Sequence, residues 1–247
     1  MTDIILCGCQ GHMGKTITEL VNERSDIKIT AGVDLKNDLT AEYPIYSDIS
    51  DVREHADVIV DFSHPSLLSS ILNYAKSKRL PAVIATTGNS DTDVQKIKDA
   101  SDCCPIFFSY NMSLGISLIT ELAVKAKKVL GDGFDIEIIE KHHNKKIDAP
   151  SGTAIMLADA VNNDGEYSYI YDRHCQKRPR DKNEIGISSV RGGSIVGEHS
   201  VLFAGIDEVI ERKHTAYSKK IFAAGALNAA KWLKKQPSGL YSMKDIV

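Results

Sequence analysis

An apolar run, Ile4-Ile5-Leu6-Cys7, breaks directly into Gly8-Cys9-Gln10-Gly11-His12-Met13-Gly14, and helix-forming residues follow at once. Three glycines at intervals of three, between a buried strand and a helix, let the backbone turn tightly and the two elements pack closely. A chain that begins this way is committed to a βα unit. The next hundred residues repeat it. Strand signals at 27–34, 56–62, 81–85 and 105–108 alternate with helical stretches at 12–24, 65–78 and 91–100. Pro65 suits a first helical turn, and Ser90 or Asp91 a helix cap. Units of this length predict a doubly wound parallel sheet of Rossmann type, with helices on both faces.

The clearest helical period covers 113–130. Leu118, Ile119, Leu122, Ala123, Ala126, Val129 and Leu130 share one face and predict a core stripe, with Glu121, Lys125 and Lys128 turned away. Beyond Asp135 the character changes. An apolar strand (Ile136, Ile138, Ile139), a helix over 151–162 and a polar loop lead to strand-like runs at 184–191, 195–204 and 208–214. Gly192-Gly193 and Gly205-Ile206-Asp207 separate those runs, and short glycine-bounded connections predict antiparallel hairpins. The second domain is therefore expected to be α+β with a largely antiparallel sheet. An alanine-rich helix over 218–235 is expected to return to the first domain. The predicted division is 1–112 with 216–247, against 113–215. The basic loop 173–182 reads as solvated surface.

Composition narrows the function classes. A net charge of −3 on 247 residues gives no reason to expect nucleic acid or an anionic membrane as partner. No apolar run is long enough for a bilayer, and the N-terminus has no signal-peptide pattern. Cys7, Cys9, Cys103, Cys104 and Cys175 show neither zinc spacing nor a disulfide framework, which predicts reduced thiols in a cytoplasmic protein. Cys7 and Cys9 are expected to be buried.

The glycine turn has a second use. Helix N-terminal N–H groups and a positive dipole end suit a pyrophosphate. The pattern is G-x-x-G-x-x-G, with Gln10 where the common fingerprint has its second glycine. Alone it is equally a structural turn. Asp34, twenty residues after Gly14, stands where an acidic residue meets the adenine ribose. Together they predict a dinucleotide. Asp34 would repel a 2′-phosphate and favours NADH; Lys36 could pair with that phosphate, so NADH and NADPH both stay open. Thr86-Thr87-Gly88 and Tyr110-Asn111-Met112 follow strands at the carboxyl edge, where ligands bind in such sheets. They also read as ordinary strand-end turns.

Chemistry concentrates in 137–154, E-I-I-E-K-H-H-N-K-K-I-D-A-P-S-G-T-A. His142 can donate or accept a proton near neutrality. Lys146 can neutralise a carboxylate and donate a proton. Ser151, Gly152 and Thr153 would offer a hydroxyl, two backbone N–H groups and a helix dipole end to an anion. That end is worth about 0.3–1 kcal/mol, up to ~2 when partly buried, enough to orient a substrate but not to hold it alone. The bland alternative is an exposed polar loop with Ser151 as a plain cap. A metal fits poorly, because adjacent histidines on an extended segment point to opposite sides and no third ligand has a recognisable spacing.

The segment H-H-x-x-K-x-D-A-P-S-G-T-A resembles the signature of the 4-hydroxy-tetrahydrodipicolinate reductase (dihydrodipicolinate reductase) family. The resemblance continues in Gly8 to Gly14, Asp61-Phe62-Ser63-His64-Pro65, Ala85-Thr86-Thr87-Gly88, Asn111-Met112-Ser113-Leu114-Gly115, residues 190–199 and Ser238-Gly239-Leu240-Tyr241. It implies an NAD(P)H-dependent reductase of lysine and diaminopimelate synthesis, acting on a small cyclic dicarboxylate between its domains. It implies that His142 is the catalytic histidine and Lys146 the proton-donating lysine. His143, Gly152 and Thr153 match the substrate-binding residues. Gly8, Cys9, Gln10, Gly11, His12, Met13, Asp34, Ala85, Thr86, Thr87, Ser109, Tyr110, Asn111 and Met112 match the cofactor segments. His12 stands where arginine or lysine is frequent, which weakens the expectation of strong NADPH preference, and Ala85 where glycine is common. The resemblance also implies a homotetramer assembled through the second domain.

Two other classes remain open at this level. A semialdehyde dehydrogenase would need an activated cysteine nucleophile, and no cysteine here has a suitable context. A nucleotide sensor would keep the glycine turn but has no need of His142 and Lys146.

Overall fold

The computed structural model describes residues 1–35, 41–171 and 173–247. In chain order the first elements are β1 (Thr2–Cys7), α1 (His12–Asn22), β2 (Ile27–Val33), β3 (Ile45–Tyr46), β4 (Val58–Asp61), α2 (Leu68–Lys78), β5 (Ala82–Ile84), α3 (Asp91–Ser101) and β6 (Pro105–Phe108). Then come α4 (Leu114–Leu130), β7 (Asp135–His142), α5 (Gly152–Val161), β8 (Ser168–Ile170), β9 (Glu184–Arg191), β10 (Gly197–Ala204) and β11 (Val209–Ala216). The chain closes with α6 (Lys220–Leu233) and β12 (Gly239–Tyr241). It divides into Met1–Ser113 with Lys220–Val247, and Leu114–Lys219.

The first unit is a seven-stranded sheet in the order β12-β6-β5-β4-β1-β2-β3, parallel in every pairing. Its central strands read as apolar runs because both faces are covered: α2 and α3 pack on one side, α1 and α6 on the other. Ile5, Cys7, Ile59, Ile84 and Ile106 meet Leu68, Ile71, Leu72 and Ile97 on the α2–α3 side. Ser90 caps α3 through a reciprocal box with Asp93, which settles that cap on Ser90. Small residues let α6 lie close: a Cβ on Gly225 would stand 1.7 Å from the Met112 carbonyl oxygen. Strand order reverses at β1, so the carboxyl edge there carries the crevice in which such sheets bind ligands.

The second unit is a five-stranded mixed sheet, β11-β10-β7-β9-β8. β7 runs antiparallel to β10 and parallel to β9. Strand β7 alternates strictly between half-exposed and buried positions. Its buried positions Ile136 and Ile138 join Ile185, Ile187, Val201 and Phe203 beneath Ile116, Ile119, Leu157 and Ala158 of α4 and α5.

Three local expectations are corrected. Gly192-Gly193 does not form a hairpin: β9 and β10 flank β7, and only β10 and β11 make one. The glycine turn instead crosses the end of β7, with Gly192 N–H on the His142 carbonyl at 2.9 Å and the Asn144 N–H on Gly193 at 3.2 Å. The α4 stripe is wider than the face it buries, leaving Leu118, Leu122 and Val129 exposed. Loop 173–182 is not plain solvated surface either. Arg173 and Arg178 bind the Glu184 carboxylate at 2.7 and 2.5 Å, and Arg180 reaches Glu137 at 2.7 Å. Glu184 is 2% exposed, and a carboxylate so buried requires cations.

Candidate active site

Five loops of the first unit gather at the carboxyl edge of its sheet. The turn after β1 is built on contacts that only glycine allows. Gly8 has φ +76°, and a Cβ there would fall 2.5 Å from the Phe62 carbonyl oxygen. A Cβ on Gly14 would stand 2.2 Å from the Gly8 oxygen. Gly11 caps α1 with no side-chain bond, and the first turn of α1 carries no acidic residue. Its leading N–H groups thus suit an anion. Asp34, just after β2, accepts the Gln10 N–H at 2.9 Å, which sets its carboxylate beside the turn. These features fit a dinucleotide. Lys36, the rival cue for a 2′-phosphate, lies outside the described residues.

The expected cofactor segments differ in what they can offer. Gly11 and His12 are exposed, and Gln10 and Met13 half-buried. Cys9 is 1% exposed and packs under Gly32, so only its backbone can face a ligand. Burial, reinforced by Asp34, pushes its thiol up to about 12. Met112 is likewise buried, whereas Tyr110 is exposed. Ser109 and Asn111 brace their own turn: the Ser109 hydroxyl donates to the Asn111 carbonyl at 2.8 Å, and Asn111 Oδ1 takes the Ser113 N–H at 2.9 Å. Ala85 is buried and Thr87 exposed.

Thr86 is held by a residue whose role the sequence did not announce. Asp61, fully buried, accepts from the Ser63 N–H (3.0 Å), the Ser63 hydroxyl (2.5 Å) and the Thr86 hydroxyl (2.8 Å). Burial raises its carboxyl above the ordinary value. It ties the loops after β4 and β5 together at the crevice. The usable signal was a lone acid ending an otherwise apolar strand.

In the second unit, β7 ends in the chemistry. Glu140 and His142 continue the inward face of Ile136 and Ile138. Glu140 is fully buried and its Oε2 meets His142 Nδ1 at 2.5 Å. Arg191, beside His142 in register on β9, grips both Glu140 oxygens at 2.8 and 2.7 Å. His199, beside Glu140 on β10, stacks edge-on to His142 at 5.1 Å between centroids. The Ser151 N–H donates to Glu140 Oε1 at 3.1 Å.

Lys146 pairs with Asp148 at 2.8 Å, and Arg191 also binds the Asp148 carbonyl at 2.6 Å, which folds the loop back towards β7. His143 is half-buried, and its carbonyl takes the Lys146 N–H. Gly152 opens α5, and a Cβ there would meet nothing within 4 Å, so an anion has room to approach the helix end. Thr153 follows, half-buried.

Ser151 is bound by its own neighbours. It is 3% exposed; its hydroxyl caps α5 through the Ala154 N–H and bonds His199 Nε2 at 2.9 Å. Its N–H and hydroxyl are thus both engaged within the protein, on Glu140, His199 and the Ala154 N–H. Glu140, Arg191 and His199 were missed as site residues. The signal for Glu140 was its place two residues before His142, on a core-facing position where a charge needs partners.

Burial alone would raise the Glu140 carboxyl. Hydrogen bonds from Arg191, His142 and Ser189 more than offset it and hold it at about 2. Burial lowers His199 to about 4, with the neighbouring His142 adding to the effect. Both shifts tie stability to pH in the same direction. An unfolded histidine takes its proton near 6.5, so His199 makes stability fall between about pH 6.5 and 4. Glu140 contributes fully above about pH 4.5, and that contribution is lost as pH falls towards 2. The thermal midpoint, followed by circular dichroism, is expected to fall in these two stages. A flat midpoint between pH 6.5 and 4 would contradict a neutral, buried His199.

A parallel sheet with a glycine-turn nucleotide crevice, joined to a unit carrying a histidine, a lysine and an open helix end, defines an NAD(P)H-dependent oxidoreductase of the two-domain kind. The chain belongs to the dihydrodipicolinate reductase family: residues 2–112 match the family's N-terminal model and 115–247 its C-terminal model. It is 49% identical over 249 residues to the 4-hydroxy-tetrahydrodipicolinate reductase of Caldanaerobacter subterraneus subsp. tengcongensis, covering 100% of this chain and 98% of that protein. It is 46% identical to that of Clostridium novyi, again over 100% and 98%. Among solved structures, a dipicolinate-bound dihydrodipicolinate reductase from Paenisporosarcina sp. TG-14 superposes with a TM-score of 0.84 over all of both chains, at 22% identity. Among the described residues no helix is long and apolar enough to cross a membrane.

Proposed function

We propose that this chain reduces 4-hydroxy-tetrahydrodipicolinate to tetrahydrodipicolinate in lysine and diaminopimelate biosynthesis. The observation that carries the proposal is the end of β7, where His142, Lys146 and the open start of α5 follow one another. Bound NAD(P)H supplies the hydride. The N–H groups of Gly152 and Thr153 orient one substrate carboxylate, and Lys146 neutralises charge beside it. His143 helps fix the ring. Loss of the 4-hydroxyl with a C5 hydrogen, as water, leaves an imine conjugated with the C4–C5 double bond; hydride enters at C4, the electron pair moves through C5 and C6 to the ring nitrogen, and a proton delivered to C5 restores the imine. His142 and Lys146 carry that proton. Gly8, Gly11, Met13 and their neighbours cradle the cofactor pyrophosphate, and Asp34 takes the adenine ribose.

The deciding experiment generates the substrate in place, by condensing pyruvate with aspartate semialdehyde, and follows NADH or NADPH absorbance. Oxidation that depends on both enzyme and condensate is expected. No oxidation of either cofactor by folded protein would end the proposal. Comparable kcat/KM values for the two cofactors are expected from Asp34 and Lys36 together; strong NADPH selectivity would contradict the role given to Asp34.

Assembly as a homotetramer through the second unit belongs to the same proposal. Exposed Val190 and Val209, on β9 and β11, are apolar surface of the kind such an interface covers. Five free cysteines support a cytoplasmic setting.

A further inference from the structure

The carboxylate of Glu140 takes part in no step of the reaction above, yet both of its oxygens are engaged by neighbouring groups. Its Oε1 accepts from Ser151 N–H at 3.1 Å and Arg191 Nη2 at 2.7 Å. Its Oε2 accepts from Arg191 Nη1 at 2.8 Å and meets His142 Nδ1 at 2.5 Å. An ionised carboxylate only accepts hydrogen bonds, so Nδ1 must carry the hydrogen. A neutral His142 therefore keeps its lone pair on Nε2, and a charged ring has its available proton there. Gly197 keeps that nitrogen clear: a Cβ at 197 would stand 3.2 Å from Nε2.

The charged and titratable groups around the ring come from three strands. Glu140 lies on its own strand, Arg191 on β9 and His199 on β10; Lys146 and Asp148 lie on the following loop. Glu140 hydrogen-bonds both the ring and the Ser151 N–H that caps α5, while His199 stacks on the ring and bonds the Ser151 hydroxyl. One carboxylate thus sets the proton-carrying nitrogen and holds the backbone of Ser151, the residue that caps α5.

We infer that Glu140, anchored by Arg191, is the positioning residue that fixes the tautomer and direction of His142 and locks that ring to the start of α5. The inference rests on the reductase function proposed above, but its first test does not need activity. With histidine-labelled protein at a pH where the ring is neutral, nitrogen chemical shifts should show His142 protonated on Nδ1 and bare on Nε2. The opposite tautomer would overturn the inference whether or not the enzyme turns over. An absence of turnover with the expected tautomer would instead count against the proposed reaction.

The second test is kinetic. In Glu140→Gln the amide keeps the size but cannot balance a charged imidazole. Its kcat is expected to fall on the order of 10²-fold, while the KM for NADH stays within about twofold. Glu140→Asp keeps the charge and should recover at least about tenfold over the Gln variant. Near-normal kcat in folded Glu140→Gln would overturn the inference. So would equal losses in the Gln and Asp variants, or a parallel loss of NADH binding, since these mark a purely structural ion pair. If Glu140→Gln does not fold, the tautomer of the unaltered protein decides.

Discussion

Replacing Lys146 with methionine is expected to lower turnover at least about a hundredfold while leaving NADH affinity nearly unchanged. Methionine keeps most of the length and apolar stem of lysine but has neither charge nor proton. The fold should tolerate the change. Lys146 is 21% exposed and pairs with Asp148, itself 59% exposed. Such a pair is worth roughly 0–1 kcal/mol. Loss of activity would then report on chemistry rather than collapse. Steady-state rates with the condensation-generated substrate, set beside an NADH fluorescence titration, give the two quantities. Near-normal turnover would remove Lys146 from the mechanism. A matching loss of cofactor affinity would show that the substitution had disturbed more than the substrate side.

Gly14→Ala is expected to damage the other half of the enzyme. The added methyl would lie 2.2 Å from the Gly8 carbonyl oxygen and 2.5 Å from that of Cys9. Both obstacles are backbone, so no rotamer change relieves them. The turn is also closed from outside, with Gly8 N–H on the Val33 carbonyl at 2.8 Å and Gly11 N–H on that of Gly8 at 3.1 Å. Helix α1 must therefore move off β1. Overpacking of this kind costs about 1–3 kcal/mol and sometimes more. The movement displaces the N–H groups assigned to the pyrophosphate. NADH binding should weaken by at least about tenfold, equivalent to ~1.4 kcal/mol, and the thermal midpoint should fall. Calorimetric titration and a melting curve test both. Unchanged binding in Gly14→Ala would mean that the turn is a packing device and not the cofactor cradle.

The first unit was largely legible because its signals are local. Strand, glycine turn, helix, strand and Asp34 follow one another within thirty-four residues, and each is decided by backbone sterics or periodicity among near neighbours. Ser90 and Asp93 formed the cap that a serine before a helix suggests. Where periodicity was read without knowledge of the opposing surface, it overshot: Leu118, Leu122 and Val129 fit the α4 stripe, yet the core takes Ile116, Ile119 and Ala123 and leaves those three exposed. The Gly192-Gly193 hairpin failed for a related reason. A glycine pair allows a reversal of direction but does not say which strand lies alongside, and the buried Glu140 is satisfied with Arg191 on one neighbouring strand and His199 stacked near it on the other.

The amino-acid sequence by itself determined the Rossmann-type unit, the family signature, and the identities of His142, Lys146, Gly152 and Thr153 as chemical candidates. Tertiary structure alone decided how those groups are aimed. Arg191 lies 51 residues from Glu140, and His199 lies 48 from Ser151, and only strand register brings them together. The same packing sets the Ser151 hydroxyl between the start of α5 and His199. Turns and periods are set by neighbours along the chain, but the partners of a buried charge are set by whichever strands the core places beside it.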